Sequence, residues 1–450
     1  MPTSRENIEK WSWKYWLLRH YQDFIFRLYF KTEIVGLEKL PPNTTLIFAP
    51  NHQNALMDAL GMLSLYPNWQ PIFLARADIF KKPLVIKILT FLKIMPVYRI
   101  RDGYENLSLN DEIFLKTMDV LNNKNGLIIL PEGNHAEFKR LRQLKKGIAR
   151  IAFQAEDASN GTLNIHIVPV GLEYSNYVRF HSKFLIRIGQ PFEVSKYLDL
   201  YHQNKALAYN ALIAELEQGM KKEMIHIKDE EHYNAFITLC DLFTERFIKN
   251  RKLPKTQNQK FLIDKDLVIK LDDLKETNAT EFIDLMAKAN EYNALLNENR
   301  ICKKAAPLTS KKAYSLPIKA VLLLATLPLF VYGAINNFIQ IFTPYKLSLK
   351  FQDVQFRSSI RHAVGLILFP LMYIVQTLIF ALIVKDGLIT LAYFVSLPLG
   401  AFVVYHWRRH FIKFGRTISV LRFIKAKPDK TKRINELFAE LYSSMESLVS

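Results

Sequence analysis

Thr45-Leu-Ile-Phe-Ala-Pro-Asn-His-Gln-Asn-Ala-Leu-Met-Asp58 is the stretch on which the fold prediction depends. The apolar run from Thr45 to Ala49 predicts a buried strand, and Pro50 ends it because proline cannot donate to a strand ladder. His52 and Asp58 therefore follow the end of a strand. A six-residue step turns a side chain by about 240° around a regular helix, so His52 is expected in the loop before the helix rather than on it.

A histidine beside a carboxylate is suited to general base catalysis. The neutral imidazole accepts a proton from a hydroxyl, and the carboxylate fixes the tautomer and stabilises the imidazolium that forms. His52 and Asp58 are thus the candidate catalytic pair, and the adjacent Asn51 is a candidate substrate-binding residue. The alternative is a surface histidine followed by an unrelated aspartate, a combination that is common by chance.

Three more apolar runs end at polar, glycine or proline positions. The middle run leads into Pro131-Glu132-Gly133 and is followed by a basic stretch from Lys139 to Lys146. A strand, a sharp polar turn and a cationic helix start together form a candidate phosphate-binding cradle. The three runs are Ile94 to Arg99, Gly126 to Leu130 and His166 to Gly171.

In order and spacing, these four blocks resemble the glycerolipid acyltransferase family, which includes glycerol-3-phosphate and lysophosphatidate acyltransferases. The resemblance covers roughly residues 30 to 195. It implies that His52 and Asp58 are catalytic. It further implies that Arg99, Glu132 and Gly133 bind the acceptor's phosphate and glycerol moiety and that Pro169 is associated with acyl-donor binding. The alternative for Arg99 is an ordinary surface charge at a strand end, and Arg101 is close enough to substitute for it.

Two features depart from the family pattern. Five residues separate His52 from Asp58, one more than in most members, and this spacing resembles the fungal acyltransferases that accept glycerol-3-phosphate or dihydroxyacetone phosphate. The third block usually continues with threonine and arginine, whereas Asn134 and His135 follow here. The missing charge is then expected from Lys139, Arg140 or Arg142.

The implied chemistry is acyl transfer from a thioester to the hydroxyl of glycerol-3-phosphate or 1-acylglycerol-3-phosphate. His52 would take the hydroxyl proton, so the reaction needs neither a metal nor another cofactor beyond the thioester co-substrate, either acyl-CoA or an acylated carrier protein. Neither Cys240 nor Cys302 adjoins a histidine-bearing motif, and no Gly-x-Ser-x-Gly elbow is present. A covalent acyl-enzyme is therefore not expected.

Two other functions remain open. The altered third block and the longer first block are compatible with a non-catalytic membrane protein that binds lipid or acts as a scaffold. An active enzyme with a different acceptor, such as another lysophospholipid or an aminolipid hydroxyl, is the second alternative. The presence of His52, Asp58 and Glu132 together favours activity.

Composition favours an anionic partner. The chain has 450 residues, a net charge of +19 and 12% aromatic residues. Nucleic acid is not expected, because no helix-turn-helix, zinc-ligand cluster or RNA-binding signature accompanies the charge. Anionic membrane lipids and phosphorylated substrates are the better candidates. Two widely separated cysteines indicate no disulfide framework.

Apolar periodicity predicts an α/β fold, specifically an acyltransferase-type α/β sandwich over residues 35–202. Catalytic groups gather at strand ends, where open α/β sheets place their ligand crevices. Strands are expected near residues 44–49, 71–75, 94–98, 126–130, 164–170 and 184–189. Helices are expected near residues 54–65, 79–92, 109–123 and 143–157.

The segments on either side of this domain differ in character. Within residues 1–34, aromatic and basic residues alternate from Trp11 to Phe30, which is typical of an interfacial membrane-associated helix; a core helix is the alternative. The polar start through Lys10 does not resemble a secretory signal. Residues 203–314 predict a charged helical subdomain, whose faces are solvated or contact lipid or an acidic carrier protein.

The C-terminal third contains three apolar stretches, each near the roughly 20 residues that cross a bilayer. Basic residues flank the last two stretches on both sides, which places these flanks in the cytosol by the positive-inside tendency. A catalytic domain on the cytosolic face then requires an even number of crossings. The stretches are Ile318 to Phe342, Ala363 to Val384 and Leu388 to Trp407.

We therefore predict an integral membrane protein with a membrane-embedded region at residues 315–410. A re-entrant segment is expected at 318–342, because proline, glycine and amide residues interrupt this stretch, and a transmembrane hairpin at 363–407. A basic cytosolic helical tail follows at 411–450. Three ordinary spans are the alternative, if the tail lies outside.

Overall fold

The computed structural model describes residues 7–97, 109–135 and 138–449. The chain forms two compact units. The first comprises Met1–His226 and Phe351–His362, and the second comprises Ile227–Lys350 and Ala363–Ser450. Residues 203–226 therefore belong to the first unit, so the predicted boundary at residue 202 differs from the one that the structure shows.

The first unit is built on a sheet that contains eight strands among the described residues. The strand order is β1-β7-β6-β2-β5-β3-β4, with β8 paired to β6. Pairing is parallel except where β7 and β8 meet β6. The strands are β1 (Phe30–Val35), β2 (Thr45–Pro50), β3 (Ile72–Arg76), β4 (Ile94–Val97), β5 (Leu127–Ile128), β6 (Ile165–Tyr174), β7 (Ser182–Ile188) and β8 (Phe192–Glu193).

Helices cover both faces of this sheet and confirm the predicted α/β sandwich. One apolar cluster joins the sheet to α4, α5 and α7, and a second cluster joins it to α1 and α2. The helices are α1 (Trp13–Tyr29), α2 (Leu56–Leu63), α3 (Pro83–Phe91), α4 (Leu109–Asn122), α5 (Gly147–Ala158), α6 (Leu198–Gln203) and α7 (Lys205–Glu223).

The N-terminal helix is shorter than the predicted 1–34 segment. It ends at Tyr29, and the next residues form strand β1, which pairs with the distant β7. One face of α1 packs on the unit through Arg19, whose guanidinium donates to the carbonyls of Leu63 and Tyr66. The opposite face is exposed and carries Trp13, Leu17 and Phe24. Its predicted position in a membrane interface stays a prediction.

The second unit is helical. Its α16 packs against α8, α9 and α10, so the last helix of the predicted tail at 411–450 is part of a bundle. The helices are α8 (Tyr233–Asn250), α9 (Gln257–Thr277), α10 (Ala279–Glu298), α11 (Leu316–Ala325), α12 (Leu327–Asn336), α13 (Phe338–Ser348), α14 (Val354–Val384), α15 (Gly387–Ala426) and α16 (Pro428–Val449). Helix α14 starts within the first unit.

Helices α14 and α15 are each long and apolar enough to cross a bilayer. The predicted tight connection lies between them at Lys385 and Asp386, where the Asp386 carboxylate accepts a hydrogen bond from the Ile389 amide at 2.9 Å. Helices α11 and α12 meet the same test only together and bend by 50° at their junction. Such a bend is compatible with a broken span and with a re-entrant loop.

Buried amides connect the bent helices to the hairpin within the second unit. Asn337 is fully buried, donates to the Leu397 carbonyl at 3.1 Å and accepts from the Tyr373 hydroxyl at 2.8 Å. Gln340 donates to Gln376 at 3.2 Å. An unpaired polar group in hydrocarbon costs several kcal/mol, so these hydrogen bonds lower the cost of placing the Asn337 side chain and the Gln340 amide nitrogen in an apolar setting.

We expect Gly333→Ala to lower the apparent unfolding temperature of the detergent-purified protein. A Cβ at Gly333 would lie 2.5 Å from the Gly400 carbonyl oxygen, and overpacking of this kind costs about 1–3 kcal/mol. Gly365→Ala is the matched control, because its Cβ would meet Phe369 at an ordinary 3.7 Å. Equal shifts in both variants would show that the Gly333–Gly400 approach does not limit stability.

Candidate active site

The predicted histidine and aspartate lie together at the end of β2. His52 is in the loop before α2, as expected, and Asp58 is in the first turn of that helix. His52 Nδ1 lies 2.8 Å from Asp58 Oδ2. The same oxygen accepts hydrogen bonds from the backbone amides of Gln53 at 2.8 Å and Asn54 at 2.7 Å. The loop therefore folds around the fully buried Asp58 carboxylate.

The second oxygen of Asp58 accepts a hydrogen bond from the Tyr174 hydroxyl at 2.8 Å. Burial raises the pKa of Tyr174 well above its ordinary value, and the adjacent Asp58 charge raises it further. Tyr174 therefore remains a protonated donor. Sequence analysis missed this residue because it lies at the far end of β6 and no local pattern links it to Asp58.

Glu132 holds the loop that carries His52. Its Oε1 accepts from the backbone amide of His52 at 2.8 Å, and its Oε2 accepts from Arg142 Nε at 3.0 Å. Burial raises the pKa of Glu132, and the hydrogen bonds from His52 and Arg142 act in the opposite direction. The family resemblance implied contact between Glu132 and the acceptor, but here both carboxylate oxygens are occupied by protein donors.

The turn after Glu132 requires glycine. Gly133 has a φ of +72°, which lies in the left-handed region that favours glycine, and its amide donates to the Leu130 carbonyl at 3.2 Å. This backbone conformation directs the chain from β5 towards Arg142. Gly133 therefore shapes the turn, and its implied contact with the acceptor stays a prediction.

The Asn51 side chain forms hydrogen bonds with strand β6. It is fully buried, its Oδ1 accepts from the Leu172 amide at 2.6 Å and its Nδ2 donates to the Leu172 carbonyl at 3.2 Å. These bonds extend the pairing of β2 with β6 beyond Pro50. Both polar ends of the side chain are therefore engaged, and the predicted substrate-binding role of Asn51 stays a prediction.

A second histidine lies beside the first. The ring centroids of His135 and His52 are 5.3 Å apart, with an angle of 76° between the ring planes. His135 Nε2 lies 2.6 Å from Asp353 Oδ2, and Phe356 packs edge-on against the same ring at 4.9 Å. Sequence analysis missed Asp353 and Phe356, because this segment follows His135 by more than 200 residues and carries no recognisable motif.

Residues 31–173 match the family model described as Acyltransferase. These residues therefore resemble an acyltransferase domain, and the curated relatives to which the chain is similar are glycerolipid acyltransferases. It is 26% identical over 187 residues to glycerol-3-phosphate O-acyltransferase 1 of Saccharomyces cerevisiae, covering 41% of this chain and 24% of that protein. It is 28% identical over 125 residues to a chloroplastic 1-acyl-sn-glycerol-3-phosphate acyltransferase of Brassica napus, covering 28% and 34% of the two chains.

A similar solved structure is the 1-acyl-sn-glycerophosphate acyltransferase of Thermotoga maritima, with 20% sequence identity and a TM-score of 0.31. The match covers 45% of this chain and 79% of that chain. The match to each curated relative spans about a third or less of that relative's length.

The three basic residues expected to supply the missing charge, Lys139, Arg140 and Arg142, each contact a protein group. Lys139, predicted to bind substrate, forms an ion pair with Glu173, and Arg142 is held by Glu132. Arg140 lies over the ring of Phe138 at 5.8 Å. The positive charges of Lys139 and Arg142 are therefore largely neutralised by these two carboxylates. Arg99 and Arg101 lie outside the described residues.

Pro169 lies on the sheet face opposite helix α2. Along β6, Val168 and Val170 join the apolar cluster of α1 and α2, whereas Pro169 points towards α7 and packs against Gly219. The structure does not bring Pro169 together with His52. Its implied role at the acyl donor stays a prediction.

The geometry leaves one nitrogen of His52 for chemistry. Nδ1–H donates to Asp58, so Nε2 carries the lone pair, and it has no hydrogen-bond partner within the described part of the chain. The His52 side chain is 17% exposed, which leaves a route for a substrate hydroxyl. This arrangement can remove a proton from an alcohol.

We expect Tyr174→Phe to speed amide hydrogen exchange in peptides that cover residues 51–58. The substitution leaves a buried carboxylate oxygen of Asp58 without a donor, at a cost of about 1–3 kcal/mol, and so weakens the loop that donates to this carboxylate. The control is Tyr177→Phe, which removes the bond of a neighbouring tyrosine to Gln53 but none to Asp58. Similar exchange in both variants would contradict the role of Tyr174.

Proposed function

We propose that this protein is a membrane-bound acyltransferase that moves a fatty acyl chain from a thioester to the hydroxyl of glycerol-3-phosphate or 1-acylglycerol-3-phosphate. The observation that carries the proposal is the His52–Asp58 contact of 2.8 Å at the end of a sheet strand. The match of residues 31–173 to the Acyltransferase family model supports the reaction type. The two acceptors correspond to those in the names of the yeast and Brassica relatives.

The reaction needs one proton acceptor. His52 Nε2 takes the proton of the acceptor hydroxyl while its oxygen attacks the thioester carbonyl, and Asp58 stabilises the imidazolium that forms. The new C–O bond forms as the C–S bond breaks, and the thiolate leaves with the electron pair. A thiol has a pKa near 8.5, so the thiolate is a good leaving group that can recover the proton from His52.

The proposed mechanism uses no protein nucleophile and no metal. Cys240 and Cys302 both belong to the second unit, whereas His52 and Asp58 belong to the first. Coenzyme A and an acyl carrier protein are both suitable carriers for the acyl thioester. The apolar helices α14 and α15 support a membrane anchor, with the catalytic unit on the cytosolic face as the basic flanks predict.

We expect His52→Ala to abolish acyl transfer by the purified protein, because the hydroxyl then loses its base. The matched control is His202→Ala. His202 also pairs with a carboxylate, at 2.7 Å from Asp157, but this pair is exposed on the surface, so its removal should leave the rate within about twofold. The measurement is transfer of a radiolabelled acyl chain from acyl-CoA and from acylated carrier protein. Full activity in His52→Ala would falsify the assignment of the base.

The same assay separates the alternatives when it uses a panel of acceptors. Glycerol-3-phosphate, 1-acylglycerol-3-phosphate, other lysophospholipids and aminolipids are each offered to the wild-type protein. Product with one of the first two acceptors supports the proposal, and product only with the others reassigns the acceptor. Absence of product with every acceptor and both donors supports a lipid-binding or scaffold role.

The proposed membrane topology predicts the side of the membrane on which Lys346 and Ser450 lie. We expect cysteines introduced at Lys346 and Ser450 in a Cys240→Ser, Cys302→Ser background to react with an impermeant maleimide only from the cytosolic side. A re-entrant pair followed by a hairpin gives an even number of crossings, which keeps both positions on the side of the basic flanks. Reaction of both positions only from the external side would instead establish three ordinary spans with an external tail.

A further inference from the structure

The first turns of α14 are part of the unit that carries His52. Residues Phe351–His362 belong to the first unit, although they lie far beyond the matched acyltransferase domain in sequence. The buried residues of this segment are all polar and follow the spacing of one helical face. They are Gln355, Ser358, Ser359 and His362. Polar side chains gain little from burial itself, so specific contacts are expected to hold this segment in place.

Ser358 contacts the loop that carries His52. Its side chain is fully buried, and its hydroxyl donates to Asn54 Oδ1 at 2.9 Å. The carbonyl of Gln355 in the same helix, at 3.2 Å, is the longer of its two contacts. The hydroxyl of the adjacent Ser359 is also buried, but it has no hydrogen-bond partner in the part of the chain that the structure describes. Ser358 therefore forms a hydrogen bond to the loop that its neighbour does not form.

Asn54 is held from three directions. Its backbone amide donates to the buried Asp58 carboxylate at 2.7 Å, and its Nδ2 donates to the Tyr177 carbonyl at 3.2 Å. Its Oδ1 accepts the hydrogen bond from Ser358. Because Asn54 is fully buried, water cannot replace a lost donor at this oxygen without rearrangement of the loop. The orientation of Asn54, and with it the amide that binds Asp58, thus depends on Ser358.

The next residue adopts an unfavourable backbone conformation. Ala55 has a φ of +46° and a ψ of −126°, immediately before α2 begins at Leu56. A residue with a side chain disfavours this region, so the surrounding contacts must hold Ala55 in it. On one side these are the contacts of Asn54, and on the other side the first turn of α2, which carries Asp58. Loss of one of these contacts allows the loop to relax.

We propose that Ser358 is a positioning residue for the general base, because it holds Asn54 and thereby the strained loop between His52 and Asp58. This inference rests on the proposed function and assigns a part in it to a residue outside the acyltransferase domain. The Ser358 hydroxyl is bonded to Asn54, so it acts through the loop and not on the substrate. Its loss lowers the fraction of molecules in which His52 Nε2 is aimed at the acceptor hydroxyl.

The test is Ser358→Ala in the full-length protein, with Ser359→Ala as the matched control. Both variants remove a buried serine hydroxyl from the same helical turn, but Ser358→Ala alone takes the donor from Asn54 Oδ1. We expect Ser358→Ala to lower kcat for acyl transfer by roughly tenfold, while KM for the thioester and for the acceptor each change by less than about twofold. Ser359→Ala should leave kcat within about twofold of the wild-type value.

A double-mutant cycle with Asn54→Ala separates positioning from general destabilisation. If Ser358 acts through Asn54, Ser358→Ala should lower kcat by less than about a further twofold in the Asn54→Ala background. Equal effects of Ser358→Ala in both backgrounds overturn the proposal. A wild-type kcat in Ser358→Ala, a rise in KM without a fall in kcat, and equal losses in Ser358→Ala and Ser359→Ala each overturn it as well.

Amide hydrogen exchange distinguishes failure of this proposal from failure of the proposed function. We expect peptides that cover residues 51–58 to exchange faster in Ser358→Ala than in the wild type and in Ser359→Ala, while peptides from β7 keep their wild-type rates. A wild-type protein that transfers no acyl chain overturns the enzyme assignment, but this exchange difference then still supports a loop that Ser358 holds. Absence of the difference overturns the role of Ser358, whether or not the wild-type protein is active.

Discussion

The buried carboxylate of Asp58 is the constraint on which the site depends. A buried charge is tolerated only when hydrogen bonds replace its water, and Asp58 receives them from His52, Gln53, Asn54 and Tyr174. Two of these donors are backbone amides of the loop that carries His52. The same hydrogen bonds therefore compensate the buried charge of Asp58, stabilise the loop and orient the imidazole of His52.

The sheet supplies the frame for this carboxylate. Strand β2 lies between β6 and β5, so the loop after β2 is flanked by Tyr174 at the end of β6 and by Glu132 in the turn after β5. Asn51 extends the pairing to β6, and Glu132 holds the His52 amide. Asn51 and Glu132, which the sequence predicts to bind substrate, thus stabilise the strand pairing and the loop that carries His52. Arg142 also has a structural contact, because its guanidinium forms an ion pair with the Glu132 carboxylate.

The rule that buried polar groups need partners also organises the apolar helices of the second unit. Asn337 and Gln340 interrupt an apolar stretch in sequence, and in the structure each is hydrogen-bonded to a neighbouring helix. In the first unit, the start of α14 is held by polar contacts to Asn54 and His135. Asn337 in the second unit, and Asp353 and Ser358 in the first, therefore have defined partners.

The sequence by itself determined the α/β class, the strands β2 to β7, the apolar hairpin and the His52–Asp58 pair, because strand periodicity, chain breakers and loop spacing are local properties. It did not predict β1, since Phe30–Val35 becomes a strand only by pairing with β7. Only the tertiary structure brought Tyr174 and Asp353 to the site. It also showed that the side chains of Asn51 and Glu132 form hydrogen bonds with other protein groups. These contacts join residues far apart in the chain, and burial decides which polar groups must pair, so no local pattern encodes them.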